Sequence, residues 1–221
     1  MVPAANLSVW PLRGLRLVSR DLELRYPTAD DIEVLVRLAG QAEYEPSLPW
    51  MAGRDGSGRL DSSEQRARRL LQCLWREQGQ WSPGGWTLTL ATVVAGGIVG
   101  MQRLFATQFP VRREVASGSW LAADHRGKGI GTEMRAAVLH LSFAGIGATY
   151  ARTEAREDNA ASIAVSRKLG YVDDGVSVSV EDRRAVAYRR LRLDRDTWYS
   201  QNCTPIEIHG LQPCISMFGA G

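Results

Sequence analysis

The stretch "ADHRGKGIGTEM" (123–134) constrains the fold more than any other part of the chain. An alternating segment, "REVASGSWLA" (113–122), reads as a strand before it, with Gly118 marking a bulge. A helical run over 131–144 follows, with Met134, Ala137, Val138, Leu141 and Ala144 on one face. Strand, glycines and helix in that order bring the unpaired N–H groups of a first helical turn to the end of a strand. Gly127, Gly129 and Gly131 would let an anion approach that backbone closely, and Arg126 and Lys128 add charge. The spacing is not that of a P-loop. It is not the dinucleotide fingerprint either, because Thr132 stands where a third glycine belongs. Taken alone, the stretch reads as a phosphate cradle or as a tight turn with no ligand.

A second segment, "DNAASIAVSRKLGY" (158–171), bears on that choice. Asn159 opens a helix that Gly170 stops, and Ser162 and Ser166 share one edge of it, opposite Ile163 and Leu169. That edge suits the polar wall of a cleft, or an N-cap with solvent-facing serines.

Elsewhere the pattern is mixed. Residues 15–25 alternate and read as extended. Thr28 caps a helix to about Ala39 with Asp31 at its third position, and Ser62 or Ser63 opens another through about Gln78. Segments 86–94 and 96–105 form a hairpin across a Gly-Gly turn. Further strands follow at 148–155, at 171–180 with its partner 184–193, and in the short stretch "PIEIHG". Helices first, then an antiparallel meander, then strand–helix–strand–helix give an α+β fold with a mixed sheet.

With 221 residues, 44% of them hydrophobic and 23% charged, the chain suits a globular domain with a sizeable core. A net charge of +3, spread without basic runs, fits an anionic small ligand and not nucleic acid. Cys73, Cys203 and Cys214 form no C-x-x-C pair and, with three histidines, no metal-ligand spacing. Reduced thiols in a cytoplasmic protein are expected, with a Cys203–Cys214 bridge as the other option. No membrane association is expected, since no window nears the roughly 18 apolar residues of a spanning helix. The first twenty residues carry no recognisable secretory signal.

Together, R-x-x-G-x-G at Arg126, Gly129 and Gly131 and the later Asn159, Ser162 and "KLGY" resemble the two signatures of the GNAT N-acetyltransferase superfamily. The start "SRDLELR" (19–25), "GSWL" (118–121) and Ser166 resemble its RimJ/RimL-like branch. The segment around the glycines and the tail "IEIHGLQPC" are similar to an actinobacterial acetyl/succinyltransferase-like subgroup.

The resemblance implies the GNAT acyl-CoA N-acyltransferase fold, a mostly antiparallel mixed sheet flanked by helices and splayed at the CoA site. It assigns residues 1–195 to that domain, with its core from about 15. Residues 196–221 are left as a tail that adds an edge strand, covers the site or contacts a second subunit. It implies acetyl-CoA or succinyl-CoA as co-substrate and an amine as acceptor, with no metal, and a homodimer through an exposed edge strand. Arg126, Gly127, Lys128, Gly129, Ile130, Gly131 and Thr132 would hold the pyrophosphate. Ser119, Trp120 and Leu121 would meet the pantetheine on one side, and Asn159 and Ser162 on the other. Ser166 takes the place where many members carry a tyrosine beside the leaving thiolate. Glu114 or Glu154 would serve as base, with His209 a further option if the tail folds over the cleft. Trp50 and Met51 fall in the loop expected to close over the acceptor, and Arg103, Arg112 or Arg113 would suit a carboxylate-bearing acyl group. The other functions open to such a chain are an acyltransferase of antibiotic biosynthesis or resistance and a non-catalytic acyl-CoA-binding module.

Overall fold

The computed structural model describes residues 9–43, 45, 48, 51, 59–201 and 205–221. After a 3-10 turn at Pro11–Gly14, strands β1 (Arg16–Val18) and β2 (Glu23–Arg25) pair antiparallel. The segment read as one extended run therefore folds back on itself at residues 19–22.

Helix α1 (Ala29–Gln41) starts on a complete capping box: Asp31 N–H donates to Thr28 Oγ1, and Thr28 N–H donates to the Asp31 carboxylate. Helix α2 (Ser63–Gly79) repeats the device with Ser62 and Gln65. Strands β3 (Gly85–Val94) and β4 (Gly97–Thr107) form the long hairpin. Its turn is Ala95–Gly96, both at positive φ, so Gly97 begins β4 and the expected Gly-Gly turn is shifted back by one residue. A single turn, α3 (Phe109–Arg112), leads into β5 (Glu114–Leu121).

Helix α4 (Ile130–His140) ends in a π-helical turn at Leu141–Gly145, which rotates Ala144 out to solvent instead of onto the core face. Strand β6 (Tyr150–Arg156), helix α5 (Ala160–Lys168), strands β7 (Val172–Glu181) and β8 (Arg184–Asp194) and helix α6 (Arg195–Gln201) follow. The tail adds β9 (Glu207–His209) and a 3-10 segment at Gln212–Phe218.

The nine strands make one sheet in the order β7-β8-β6-β5-β4-β3-β2-β1-β9, antiparallel throughout except between β5 and β6. Neighbouring side chains on a strand point to opposite faces. Accordingly Leu90 and Ala91 enter different cores. Helices α1 and α2 cover one face with Leu35, Ala39, Leu70 and Leu74 against Met101 and Trp120. Helix α4 covers the other with Met134, Ala137 and Val138 against Leu90, Leu104 and Val115.

The tail completes this second core. Phe218 and Cys214 are fully buried, and the indole N–H groups of Trp86 and Trp81 donate to the carbonyls of Phe218 and Met217. The Cys214 thiol donates to Gly210 O, and Cys203 lies outside the described residues. Among the described residues, no helix is long and apolar enough to cross a membrane.

Candidate functional site

Strands β5 and β6 pair over three residues only, Glu114 with Tyr150, Val115 with Ala151 and Ala116 with Arg152. Beyond Ala116 they diverge. Thr153 Oγ1 donates to Ser117 O at 3.2 Å, and this contact pins the fork. Past it, β5 keeps its ladder with β4 while β6 keeps its ladder with β8. The edge of β5 that faces the gap therefore has no strand partner. The Leu121 carbonyl on that edge accepts from Arg126 Nε at 3.0 Å. Alternation points the N–H and C=O of Ser119 the same way as those of Ser117 and Leu121.

The β4–β5 register is unbroken through Gly118, so the bulge expected there is absent. The extra residue is Val99 in β4, which falls between the Thr92–Gly100 and Val93–Ile98 pairs. Gly100 beside it has no alternative residue, because a Cβ there would lie 2.2 Å from Trp120 O.

The fork opens into a cavity of about 750 Å³. Its upper wall is the start of α4. Gly127 (φ 72°) and Gly129 (φ 84°) adopt the left-handed conformation that glycine tolerates best, and Gly129 is the N-cap. The backbone N–H groups of Gly127, Lys128, Gly129, Ile130 and Gly131 donate to no described residue. Arg126, Gly127, Gly129, Gly131 and Thr132 line the cavity; Lys128 and Ile130 do not. A Cβ on Gly131 would touch only Leu121 Cδ1, at 3.8 Å, so the protein itself leaves room for one there.

Helix α5 forms a second wall. Asn159 Oδ1 accepts from Ser162 N–H at 3.0 Å, the N-cap bond that starts the helix. Its amide NH₂ donates to no described residue, and both Asn159 and Ser162 line the cavity. The third wall is β5 itself, with Ser119, Trp120 and Leu121 among the lining residues.

The cavity passes through the fork to the face that carries α1 and α2, where Arg103, Phe105, Arg152, Glu154, Arg156 and Tyr188 line it. Charges there are matched. Arg103 pairs with Glu77, and Arg156 pairs with Asp158 and Glu181. Arg152 Nη1 lies 3.5 Å from Glu154 Oε1. Tyr188 donates to Glu181; burial and that hydrogen bond push its hydroxyl well above the usual tyrosine range.

Several expected site residues stand elsewhere. Glu114 sits in the paired base of the fork, off the cavity, inside a cage of Arg112 (2.9 Å), Arg192 (3.3 Å) and Arg152 (3.5 Å). Its strand diverges from β6 only after Ala116, too late to turn Glu114 toward a ligand. Ser166 is fully buried behind the cavity wall, donating to Ser162 O at 2.9 Å. Met51 is buried in the core beneath α1 and α2 and is not among the residues that line this cavity; Trp50 lies outside the described residues. In the same loop, Glu45 and Leu48 do reach the cavity. His209 lies on the far edge of the sheet beside Glu207, so the tail does not bring it over the site. Of the three arginines considered for an acyl carboxylate, Arg103 does line the cavity, in an ion pair with Glu77, whereas Arg112, paired with Glu114, and Arg113, stacked on Phe109, do not.

Arg135 was missed. It lines the cavity although it is 3% exposed, and burial without a counter-ion lowers its pKa. The signal was present in "MRAAVLHL": a charged residue interrupts the apolar run of α4, one position from Met134.

Comparison with known proteins agrees with this fold. Residues 21–172 match the family model described as acetyltransferase (GNAT) domain. The Mycobacterium smegmatis RimJ structure, in complex with CoA-disulfide, superposes with a TM-score of 0.67 at 18% identity, over 94% of this chain and 95% of that one. RimL, a ribosomal L7/L12 alpha-N-protein acetyltransferase in complex with coenzyme A, gives 0.61 at 18% identity, over 81% of this chain and 97% of that one. A chimera of the spermidine N-acetyltransferase SpeG from Vibrio cholerae and hSSAT gives 0.62 at 14% identity, over 81% of this chain and 99% of that one. The chain belongs to the acetyltransferase (GNAT) family.

Proposed function

From that membership, we propose that the protein moves an acyl group from acyl-CoA to a primary amine by direct attack, with both substrates bound at the fork. One observation carries the reading. A run of undonated N–H groups at Gly127–Gly131 opens onto the same cavity as the unpaired edge of β5. Such groups at a helix N-terminus suit a pyrophosphate. A free strand edge suits an amide-bearing arm that hydrogen-bonds like an added strand. Asn159 NH₂ and Ser162 would meet that arm from α5. A volume of about 750 Å³ lies within the usual range for small-molecule sites.

The amine must be neutral to attack, so a base takes its proton. Glu154 is the carboxylate we assign, because it lines the cavity on the far side of the fork, with Ser177 Oγ donating to it at 3.2 Å. The N–H of Ser119 or Leu121, on the free edge, would hold the oxygen that gains charge.

We read the acyl group as acetyl or succinyl. The cation a second carboxylate would meet is Arg152, whose ion pairs to Glu114 and Glu154 are both 3.5 Å long. The acceptor is an amine of a protein or a small molecule, an antibiotic or its precursor included. We place the work in the cytoplasm. Residues from about 15 to 195 are read as the transferase domain, with the tail closing its core. A homodimer would form along β7, the outer strand, which exposes Val172, Val176, Val178 and Val180.

The test is incubation with acetyl-CoA and with succinyl-CoA against a panel of amines, following CoA release and product mass. Amine-dependent CoA release is expected. Tight CoA binding with no transfer to any amine would favour a non-catalytic acyl-CoA-binding module instead.

A further inference from the structure

Arg135 has the properties of a group aimed at a ligand. It projects from the second turn of α4 into the base of the fork and is 3% exposed. A guanidinium carries five N–H donors. Here Nη1 donates to Ser166 Oγ at 2.6 Å, Nη2 reaches Ser119 Oγ only at 3.5 Å, and Nε has no partner. Among the described residues no carboxylate pairs with it. The titratable group that faces it is Tyr171, whose fully buried hydroxyl is pushed above the usual tyrosine range by burial. A buried cation left in this state is costly for folding alone. In a low-dielectric site it is also a strong, fixed positive potential beside the free edge of β5.

Ser166 does not compete for that position. Its hydroxyl proton goes to Ser162 O at 2.9 Å, so its remaining capacity is to accept from Arg135. The serine holds the guanidinium by its Nη1 end and leaves Nε and most of Nη2 unspent.

We propose that Arg135 is the cation that receives the departing CoA thiolate, with Ser166 as the residue that positions it. The proposal rests on the acyl-transfer reading above. In the step concerned, the amine nitrogen bonds to the acyl carbon, and the carbon–sulfur bond breaks with its electron pair on sulfur. The proton lost by the amine finally restores the thiol. Arg135 gives up no proton; it lowers the energy of the anionic sulfur until protonation.

The proposal is tested by titrating the thiol of bound CoA, followed by thiolate absorbance, in the unmodified protein, R135K, R135M and S166A. In the unmodified protein the bound thiol is expected to ionise about one unit or more below free CoA, as an adjacent cation dictates. R135K should keep most of that shift, R135M should lose it, and S166A should reduce it. Thermal unfolding adds a reading that a purely structural arginine would reverse: R135M should melt at or above the unmodified protein. A bound thiol that ionises like free CoA, or the same shift in R135M, overturns the proposal. So does a loss in R135M confined to the affinity for succinyl-CoA, which would make Arg135 a partner of the acyl carboxylate. If the unmodified protein fails to bind CoA at all, the underlying reading falls first and is identified as the cause.

Discussion

Arg135 Nη1 and Ser166 Oγ lie 2.6 Å apart in a buried site, joining α4 to α5 beneath the fork of β5 and β6. The contact ties together the two segments whose glycines and asparagine carry the resemblance to the acetyltransferase (GNAT) family. It leaves Ser166 accepting from Arg135 and donating to Ser162 O, the arrangement on which the proposal for Arg135 is built.

The glycines of the cradle should separate into two kinds. Gly129 is at φ 84°, so G129A forces a left-handed alanine and should cost about 1–2 kcal/mol. Gly131 is helical with open space above it, so G131A should leave the melting temperature unchanged and weaken CoA binding. Thermal melts and calorimetric CoA titration of both variants check the distinction.

Glu154 and Glu114 should also separate. E154Q should reduce turnover by about 10²–10⁴, the usual contribution of a general base, with CoA affinity retained. E114Q leaves Arg112, Arg152 and Arg192 facing one another and should lower stability by about 1–3 kcal/mol. Its turnover per folded molecule should stay within a few-fold of the unmodified value. Steady-state kinetics beside denaturant melts would show the reverse pattern if Glu114 were the base.

Asp31 is a stability residue with a defined pH window. Burial raises its pKa, but the hydrogen bonds from Arg25 and from Thr28 N–H outweigh burial and leave it lowered. A carboxylate whose folded pKa lies below its unfolded one contributes stability that is fully present above about pH 4 and is lost as pH falls through the folded value. D31N should cost about 1–3 kcal/mol near pH 7. The difference between the two proteins should vanish in strong acid, as denaturant melts across pH 2–7 would show.

The tail should prove indispensable to the fold. Phe218 is fully buried and packs edge-on against Trp86 with ring centroids 4.9 Å apart. F218A should cost about 3–5 kcal/mol, and a chain shortened before Ile206 should lose cooperative unfolding. A truncated protein that melts like the full chain would contradict this.

The elements legible in the sequence were those specified within a few residues. Thr28 with Asp31, Ser62 with Gln65 and Asn159 with Ser162 are bonds between a side chain and a backbone group three residues away. Composition and local order are enough to find such bonds. The cradle was legible for the same reason: Gly127 and Gly129 are needed by their own φ angles.

The sequence by itself therefore determined the helix starts, the hairpin, the glycine turn and, through the two motifs, the family. Tertiary structure decided the rest, because those features are contacts between segments far apart in the chain. The bulge belongs to Val99 and not Gly118, since it arises from the pairing of β3 with β4. Glu114 is caged because β6 and β8 bring Arg152 and Arg192 to it. The tail is core because Trp81 and Trp86 receive it. Arg135 becomes a buried cation only when α5 closes over it, and no local pattern contains the desolvation that this closure imposes.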